Sequence, residues 1–172
     1  MKNINPKYLI LMALSGAIIA IDQATKLYIH TSYALGQSTN VINNFFNITY
    51  VRNKGAAFGI LANLPDVVRE SFFFLMTPVA LIIILVILKS VPKNDKVQIL
   101  ALSGIFGGAI GNYIDRIRFR YVIDFLDFHI NNTYSWPAFN IADSAIVVGV
   151  CVMLLLMFKK EPAENKQKAP AQ

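Results

Sequence analysis

The chain alternates long apolar runs with polar loops. A transmembrane helix requires roughly 20 mostly apolar residues, and four segments approach that length: about 8–29, 72–88, 97–114 and 141–158. They predict a membrane all-α fold, a four-transmembrane-helix bundle in a single domain over residues 1–158. The polar remainder, 159–172, contains two prolines and predicts a disordered tail.

The first apolar segment has a second interpretation. Lys2 and Lys7 precede a 14-residue apolar run, a pattern that is also typical of a cleavable signal peptide. Three further apolar segments follow, which favours a retained helix over a signal peptide.

The composition agrees with a membrane protein. Hydrophobic residues make up 55% of the chain and charged residues only 15%, whereas soluble domains average about 45–50% and about 25%. One cysteine and two histidines disfavour a disulfide framework and a structural zinc site. We therefore expect no metal ion.

Basic residues are divided unevenly between the two sides of the predicted bundle. Nine lysines lie in the N-terminus, the loop at 89–96 and the tail, and six basic residues lie in two longer loops, about 30–70 and 115–140. Cytoplasmic loops of membrane proteins carry the excess of Lys and Arg. Both termini are therefore predicted to be cytoplasmic and the longer loops extracytoplasmic. Because topology accounts for most of the net charge of +6, we expect no nucleic-acid partner.

All five arginines fall on the predicted outer side. The planar guanidinium fork suits carboxylate and phosphate groups. Random usage or contact with lipid headgroups is the alternative interpretation.

The first outer loop predicts a strand. Residues 44–51 are rich in β-branched and aromatic side chains, and Phe46, Ile48 and Tyr50 alternate on one face. We expect a small extracytoplasmic β-sheet on the membrane surface. The glycine-flanked segment at 53–59 either lets the backbone of a bound peptide approach closely or forms a plain hairpin turn.

The third apolar segment carries a stripe of glycines at 104, 107, 108 and 111. The spacing places them on one helix face as two GxxxG pairs, which predicts close helix packing. Asn112 follows four residues after Gly108, and Asp115 four after Gly111. The stripe therefore leads to an amide and a carboxylate at the outer surface.

Two aspartates are candidates for acid–base catalysis. Asp143 lies three residues after the predicted N-cap Asn140, where a helix N-terminus favours the ionised form. Asp124 lies in an apolar, strand-like run, which favours the neutral form. Carboxyls with pKa values pushed apart can serve as base and acid. The alternative is two unrelated surface aspartates.

Other charged residues have simpler interpretations. Asp22 and Lys26 are four residues apart on one helix and are expected to pair. Asp115, which precedes Arg116, is expected to form an ion pair, and Asp127 is a further outer carboxylate. The chain has no HExxH zinc motif and no GxSxG elbow, while a Ser144–Lys54 pair stays open.

Five motifs together resemble the lipoprotein signal peptidase family, also called signal peptidase II. In chain order they are Asp22-Gln-Ala-Thr-Lys26, Asn53-Lys-Gly-Ala-Ala-Phe58, Gly111-Asn-Tyr-Ile-Asp-Arg116, Val122-Ile-Asp-Phe125 and Phe139-Asn-Ile-Ala-Asp-Ser144. The likeness extends from about residue 7 to 158, with Ile123 where the family often has valine.

The resemblance implies an aspartic endopeptidase of the bacterial inner membrane. It implies that Asp124 and Asp143 are the catalytic pair, with Asp115 as the competitor for a catalytic role. It also implies a set of residues that bind substrate or support the site: Asn53, Gly55, Asn112, Asp115, Arg116, Asn140, Asp22 and Lys26. Which aspartate carries the proton is left open.

The resemblance also implies the partners. The expected substrates are prolipoproteins whose cysteine already carries diacylglycerol, cut before that cysteine, and globomycin-type inhibitors are expected to bind in the same cleft. Membrane lipids are expected partners, no organic cofactor is required, and a monomer is expected. The alternatives are a small proton-coupled transporter, which would place its carboxylates near the bilayer midplane, and a non-enzymatic scaffold.

Overall fold

The computed structural model describes residues 5–55, 61, 64–130 and 134–160. In chain order the elements are α1 (Pro6–Ser32), β1 (Ser38–Ile42), β2 (Phe46–Asn53), α2 (Asp66–Ser90), α3 (Lys96–Phe119), β3 (Val122–Ile130), β4 (Tyr134–Ser135) and α4 (Ile141–Lys160). Each of these four helices is long and apolar enough to cross a membrane. The strands are antiparallel, in the order β1-β2-β3-β4. The predicted architecture, four apolar helices with a small sheet, is confirmed.

Three sequence predictions fall wholly or partly outside the described residues. They concern Lys2, most of the glycine-flanked segment from residue 56 onward, and the tail from 161 onward. Residues 159 and 160 belong to α4.

All four helices are longer than the apolar pattern predicts, and α2 and α3 extend furthest beyond it. α2 begins at Asp66, because Arg69 in its first turn is 3% exposed, donates to the Leu64 carbonyl and pairs with Asp66. α3 continues to Phe119, because its polar side chains find partners inside the protein. Asp115 and Arg116 therefore lie on a helix, not in the second outer loop.

α3 is the central helix and contacts each of the other three. Its glycine stripe makes this possible, as predicted. A Cβ on Gly107 would lie 2.9 Å from the Cα of Ser15 in α1, and one on Gly104 would lie 3.4 Å from the Ala145 carbonyl oxygen in α4. Because glycine has no side chain, α1 and α4 both pack directly on the backbone of α3.

Lys7, near the N-terminus of α1, hydrogen-bonds the C-terminal end of α2. The Lys7 ammonium donates to the carbonyl oxygens of Leu88 (2.9 Å), Lys89 (2.8 Å) and Val91 (3.2 Å). These are carbonyls at a helix C-terminus, where hydrogen-bond partners are missing and a positive charge is favourable. Lys7 thereby caps α2 although it belongs to another helix.

The sheet carries Asp124 to the end of the bundle where α4 begins. β2 and β3 pair with Asn53 opposite Val122 and Val51 opposite Asp124, and their register shifts between Ile48 and Val51. Tyr50, 2% exposed, packs in the core below the sheet. The strand predicted at residues 44–51 is β2, and the strand-like run around Asp124 is β3.

Close packing on the glycine stripe predicts the effect of Gly108→Ala. The new methyl group would meet the Ala142 carbonyl oxygen and lie 2.8 Å from Ile146 Cγ1. Overpacking of this kind costs about 1–3 kcal/mol, so we expect a lower unfolding midpoint in detergent. Gly16→Ala is the matched control, because a Cβ there meets nothing within 4 Å. Equal midpoints for the two variants would contradict the packing argument.

Candidate active site

The candidate residues meet at one end of the bundle, where α3 ends and α4 begins. At the centre lies Lys26 of α1, 1% exposed. Its ammonium is 2.9 Å from Asp22 Oδ2 and 3.1 Å from Asp115 Oδ2, and it donates to Asn112 Oδ1 at 2.8 Å. Asp22 and Asp115 are 0% and 1% exposed. Buried charges are tolerated only when paired and hydrogen-bonded, so these groups form one ion cluster.

Two ion pairs are predicted from the sequence, one between Asp22 and Lys26 and one that involves Asp115. The expected Asp22–Lys26 pair forms. Asp115 does form an ion pair, but its partner is Lys26 on another helix and not its neighbour Arg116.

Both carboxylates of the ion cluster also accept a hydrogen bond from a backbone N–H of another element. Asp22 Oδ1 accepts from the Ala142 N–H in the first turn of α4, at 3.0 Å. Asp115 Oδ2 accepts from the Ile123 N–H near the start of β3, also at 3.0 Å. The ion cluster thus positions the two elements that carry Asp143 and Asp124.

Sequence reasoning missed one member of this network, Gln23. Its amide nitrogen lies 3.0 Å from Asp115 Oδ1, 3.1 Å from the Gly111 carbonyl and 3.2 Å from Asp22 Oδ2. The available signal was its place inside the first motif, directly after Asp22. Gln23 joins the two acids that Lys26 neutralises.

Two asparagine side chains connect the ion cluster to the candidate catalytic pair. Asn140, 0% exposed, donates through Nδ2 to Asp124 Oδ1 at 2.7 Å and to Asn112 Oδ1 at 3.2 Å. Asn112 donates to Asp143 Oδ1 at 2.7 Å. Each aspartate therefore accepts from an amide that is itself held in place.

Asn140 also begins α4, as predicted. Its Oδ1 accepts from the Asp143 N–H at 2.9 Å, and Asp143 Oδ2 accepts from the Asn140 N–H at 3.3 Å. This reciprocal arrangement is a capping box, with aspartate as its acidic member. It fixes the Asp143 carboxylate over the first turn of the helix.

The two aspartates lie in different electrostatic environments. Asp124 is 1% exposed. Burial, and secondly the negative charge of Asp143, raise the pKa of Asp124 to about 7, against hydrogen bonds from Asn53 and Asn140. Asp143 is half-buried at a helix N-terminus and accepts hydrogen bonds from the Asn112 side chain and the Asn140 N–H. The two carboxyls therefore differ in burial and in hydrogen-bond partners.

Arg116 connects the segment after β2 to α3. Its guanidinium donates to the Gly55 carbonyl at 3.1 Å and lies 4.2 Å from the ring centroid of Phe73. Asn53 Oδ1 accepts from the Gly55 N–H at 2.9 Å. Asn53 also hydrogen-bonds Asp124, and Arg116 interacts electrostatically with both Asp124 and Asp143, so this group lies beside the aspartate pair.

The other candidate residues either lie away from the aspartate pair or form hydrogen bonds with other groups. Asp127 accepts from Thr49 at 2.9 Å, and the Ser144 hydroxyl donates to the Asn140 carbonyl at 2.9 Å. His30 bonds the Tyr50 hydroxyl at 2.6 Å. Within the described ranges, no group of three or more His, Cys, Asp and Glu side chains could hold a metal ion.

Fold and site together define a multi-pass membrane protein with a polar site suited to acid–base chemistry. Residues 14–159 match the family of signal peptidase (SPase) II. The chain is 45% identical to the lipoprotein signal peptidase of Geobacter sulfurreducens over 165 residues, covering 96% of this chain and 99% of that protein. It is 44% identical to the lipoprotein signal peptidase of Syntrophus aciditrophicus over 151 residues, covering 88% and 93%. The chain belongs to the signal peptidase II family.

A solved structure shows the same fold. It is described as a bacterial membrane enzyme solved by the in meso method at 2.3 Å resolution. The superposition has a TM-score of 0.80 with 36% identity, and it covers 94% of both chains. The predicted family and fold are confirmed, and the protein is a multi-pass bacterial membrane protease.

Removal of the central cation tests the ion cluster. Lys26→Met would leave two buried carboxylates without their partner, which costs about 3–5 kcal/mol for a broken buried ion pair. We expect a large fall in the unfolding midpoint measured in detergent. Lys93→Met, the same change at an exposed lysine, is the control, and a similar shift in both variants would count against the central role of Lys26.

Proposed function

We propose that this chain is an aspartic endopeptidase that removes the signal peptide from prolipoproteins. Family membership and the shared name of its relatives support prolipoprotein processing. The catalytic type rests on one observation: two carboxyls, Asp124 and Asp143, are joined through Asn140 yet have unlike surroundings. This is the arrangement that acid–base hydrolysis of a peptide bond requires.

In the proposed reaction Asp143 begins ionised and Asp124 begins protonated. Asp143 takes a proton from water as the water oxygen bonds to the scissile carbonyl carbon, and Asp124 gives its proton to the carbonyl oxygen. The resulting diol collapses when its hydroxyl proton returns to Asp124 and the nitrogen takes the proton held by Asp143. The C–N bond breaks, and both carboxyls regain their starting states. No other reactant is needed.

Neighbouring polar groups orient the pair and the peptide. Asn140 and Asn53 bond Asp124, and Asn112 bonds Asp143, so neither carboxyl rotates freely. Arg116, held against Gly55, provides positive charge beside the carbonyl oxygen where negative charge develops. Pre-oriented donors of this kind favour the transition state because they need no reorganisation during the reaction.

The substrates we propose are prolipoproteins with diacylglycerol on the cysteine. α2 packs mainly on α3 and exposes large apolar side chains along its length, including Leu75 and Ile82. Signal peptide and acyl chains would lie in the apolar space between the helices, which anchors the bond before the cysteine at the aspartate pair. Such anchoring lowers the entropic cost of the reaction. Globomycin-type inhibitors would occupy the same space.

We further propose that both termini are cytoplasmic and that the site faces the extracytoplasmic side. The lysine distribution supports this orientation. The carboxyl pair lies at one end of the bundle, and the family is a peptidase family, so a proton-coupled transporter and a scaffold are not favoured.

The aspartate roles are tested by cleavage of a diacylglyceryl-modified precursor. We expect Asp124→Asn and Asp143→Asn each to lower kcat by at least about a thousandfold, within the range that a positioned acid or base contributes. Each purified variant is compared with wild type in lipid, and folding is checked by the unfolding midpoint.

Two further variants control this experiment. Asp127→Asn removes a carboxyl that lies three residues along the same strand and bonds Thr49, so it should cleave normally. Asp115→Asn should act on stability, since Asp115 belongs to the ion cluster. If Asp115→Asn folds normally but is inactive while Asp124→Asn cleaves, Asp115 is the partner of Asp143.

The pKa of Asp124 predicts the alkaline limit of activity. Its carboxyl must be protonated to act as the acid, and burial raises its pKa to about 7. We therefore expect kcat/KM to fall as pH rises through about 7, in proportion to the protonated fraction of Asp124. The measurement is a pH profile of cleavage with one substrate, and a flat profile from pH 6 to about 9 would contradict the assignment of Asp124 as acid.

A further inference from the structure

A buried tyrosine hydroxyl joins α1 to β2. It belongs to Tyr50 of β2, which is 2% exposed. His30 Nδ1, in the last turn of α1, is 2.6 Å from the hydroxyl oxygen, and Arg52 Nε donates to that oxygen at 3.0 Å. The proposed reaction uses none of these three side chains.

The hydrogen-bond donors and acceptors around the hydroxyl satisfy one another. The Arg52 guanidinium can only donate, so the Tyr50 oxygen accepts from it, and the hydroxyl proton is free to bond His30 Nδ1. The His30 ring is held in turn against the ring of Phe119, with their centroids 5.0 Å apart. His30 also lies one helical turn after Lys26 of the ion cluster. The bond therefore fastens β2 to a part of α1 that the ion cluster already fixes in place.

Arg52 connects the same hydroxyl to the beginning of β3. Its guanidinium carbon is 4.8 Å from the ring centroid of Tyr121, the residue directly before β3. Guanidinium groups are attracted to aromatic faces at this distance. Tyr121 also hydrogen-bonds Tyr50. We call His30, Tyr50, Arg52 and Tyr121 the tyrosine cluster, and it joins α1 to both strands that carry site residues.

The tyrosine cluster lies at an irregularity in the pairing of β2 with β3. The register shifts between Ile48 and Val51, so Tyr50 lies within the shift. Such bulges re-aim side chains and are frequent next to active sites. Beyond the shift Val51 lies opposite Asp124, and Asn53, two residues further on the same face, hydrogen-bonds that carboxyl. Because a slip of one residue reverses the faces of a strand, the placement of the bulge decides whether Asn53 reaches Asp124.

We infer that Tyr50 and His30 are positioning residues for the reaction: their hydrogen bond holds the bulge of β2 where Asn53 stays bonded to Asp124. The inference rests on the proposed function, in which Asp124 is the acid. Neither Tyr50 nor His30 contacts the reacting atoms in this role. Both act through Asn53, which is brought to the acid only when β2 is held against α1.

The pKa of Asp124 reports whether Asn53 is in place. Burial raises this pKa to about 7, and the hydrogen bond from Asn53 acts in the opposite direction because it stabilises the charged carboxylate. Loss of that bond therefore raises the pKa further, and the alkaline fall of kcat/KM moves to higher pH. The charged groups that face Asp124, namely Asp143, Lys26 and Arg116, stay the same in the variants below.

The test compares Tyr50→Phe with wild type in two measurements on the purified full chain. An NMR titration of isotope-labelled aspartate carboxyls gives the pKa of Asp124 without substrate, and its signal is the one missing from Asp124→Asn. Cleavage of the diacylglyceryl-modified precursor across pH gives the alkaline limb of kcat/KM. Tyr50→Phe should raise the pKa and move the limb to higher pH. It should also lower kcat by up to about a hundredfold, the scale expected when an active-site group moves slightly out of place.

His30 supplies a second pair of variants. His30→Asn keeps an acceptor near the position of Nδ1, whereas His30→Leu has none. We expect His30→Leu to raise the pKa of Asp124 as Tyr50→Phe does, and His30→Asn to stay close to wild type. Tyr28→Phe is the matched control, because it is the same change at a tyrosine of α1 that is 63% exposed, and it should leave the pKa of Asp124 unchanged.

A double-mutant cycle tests whether the effect passes through Asn53. In Asn53→Ala the bond to Asp124 is already absent, so addition of Tyr50→Phe should not raise the pKa of Asp124 further. An equal rise with and without Asn53 would overturn the positioning role.

Two other outcomes separate this inference from the proposed function. If Tyr50→Phe and His30→Leu lower the unfolding midpoint but leave the pKa of Asp124 unchanged, the tyrosine cluster is only structural and the inference is overturned. A raised pKa of Asp124 with an unchanged pH profile of cleavage would support the hold of Tyr50 on Asn53 and contradict the acid role of Asp124.

Discussion

The site depends on one buried ammonium group held between two carboxylates. Lys26 neutralises Asp22 and Asp115, which come from different helices and are almost wholly inaccessible to water. Because an unpaired charge at this depth is costly, the three groups stay together. Each acid also binds a backbone N–H, one in α4 and the other in β3. The positions of the candidate catalytic aspartates follow from this one electrostatic requirement.

The glycines of α3 make the ion cluster sterically possible. A Cβ on Gly111 would lie 2.6 Å from Asp22 Oδ2, so the carboxylate occupies space that any other residue would fill. The same stripe lets α4 approach closely enough for Asn140 to reach Asn112. Close backbone packing and the polar network are therefore two consequences of one sequence feature.

The unlike surroundings of the aspartate pair come from the elements that carry them. Asp124 lies on a buried strand, where desolvation favours the neutral carboxyl. Asp143 lies in the first turn of a helix, where it accepts hydrogen bonds from the Asn112 side chain and the Asn140 N–H. A strand and a helix N-terminus meeting at one point can thus separate the roles of two chemically identical side chains.

The sequence alone determined the features that depend on local order. The length of the apolar runs predicts the membrane spans. The helical spacing of the glycines predicts the stripe on α3. The preference for asparagine at a helix start predicts the cap at Asn140. Only the tertiary structure decided that Asp115 pairs with Lys26, that Gln23 joins both acids, and that α3 runs on to Phe119. Some of these contacts join groups that are distant in sequence. Others provide hydrogen-bond partners for polar atoms that the local sequence pattern would place in a solvent-exposed loop. Periodicity shows which face of an element is buried, but the partner of a buried charge is fixed only when the elements pack.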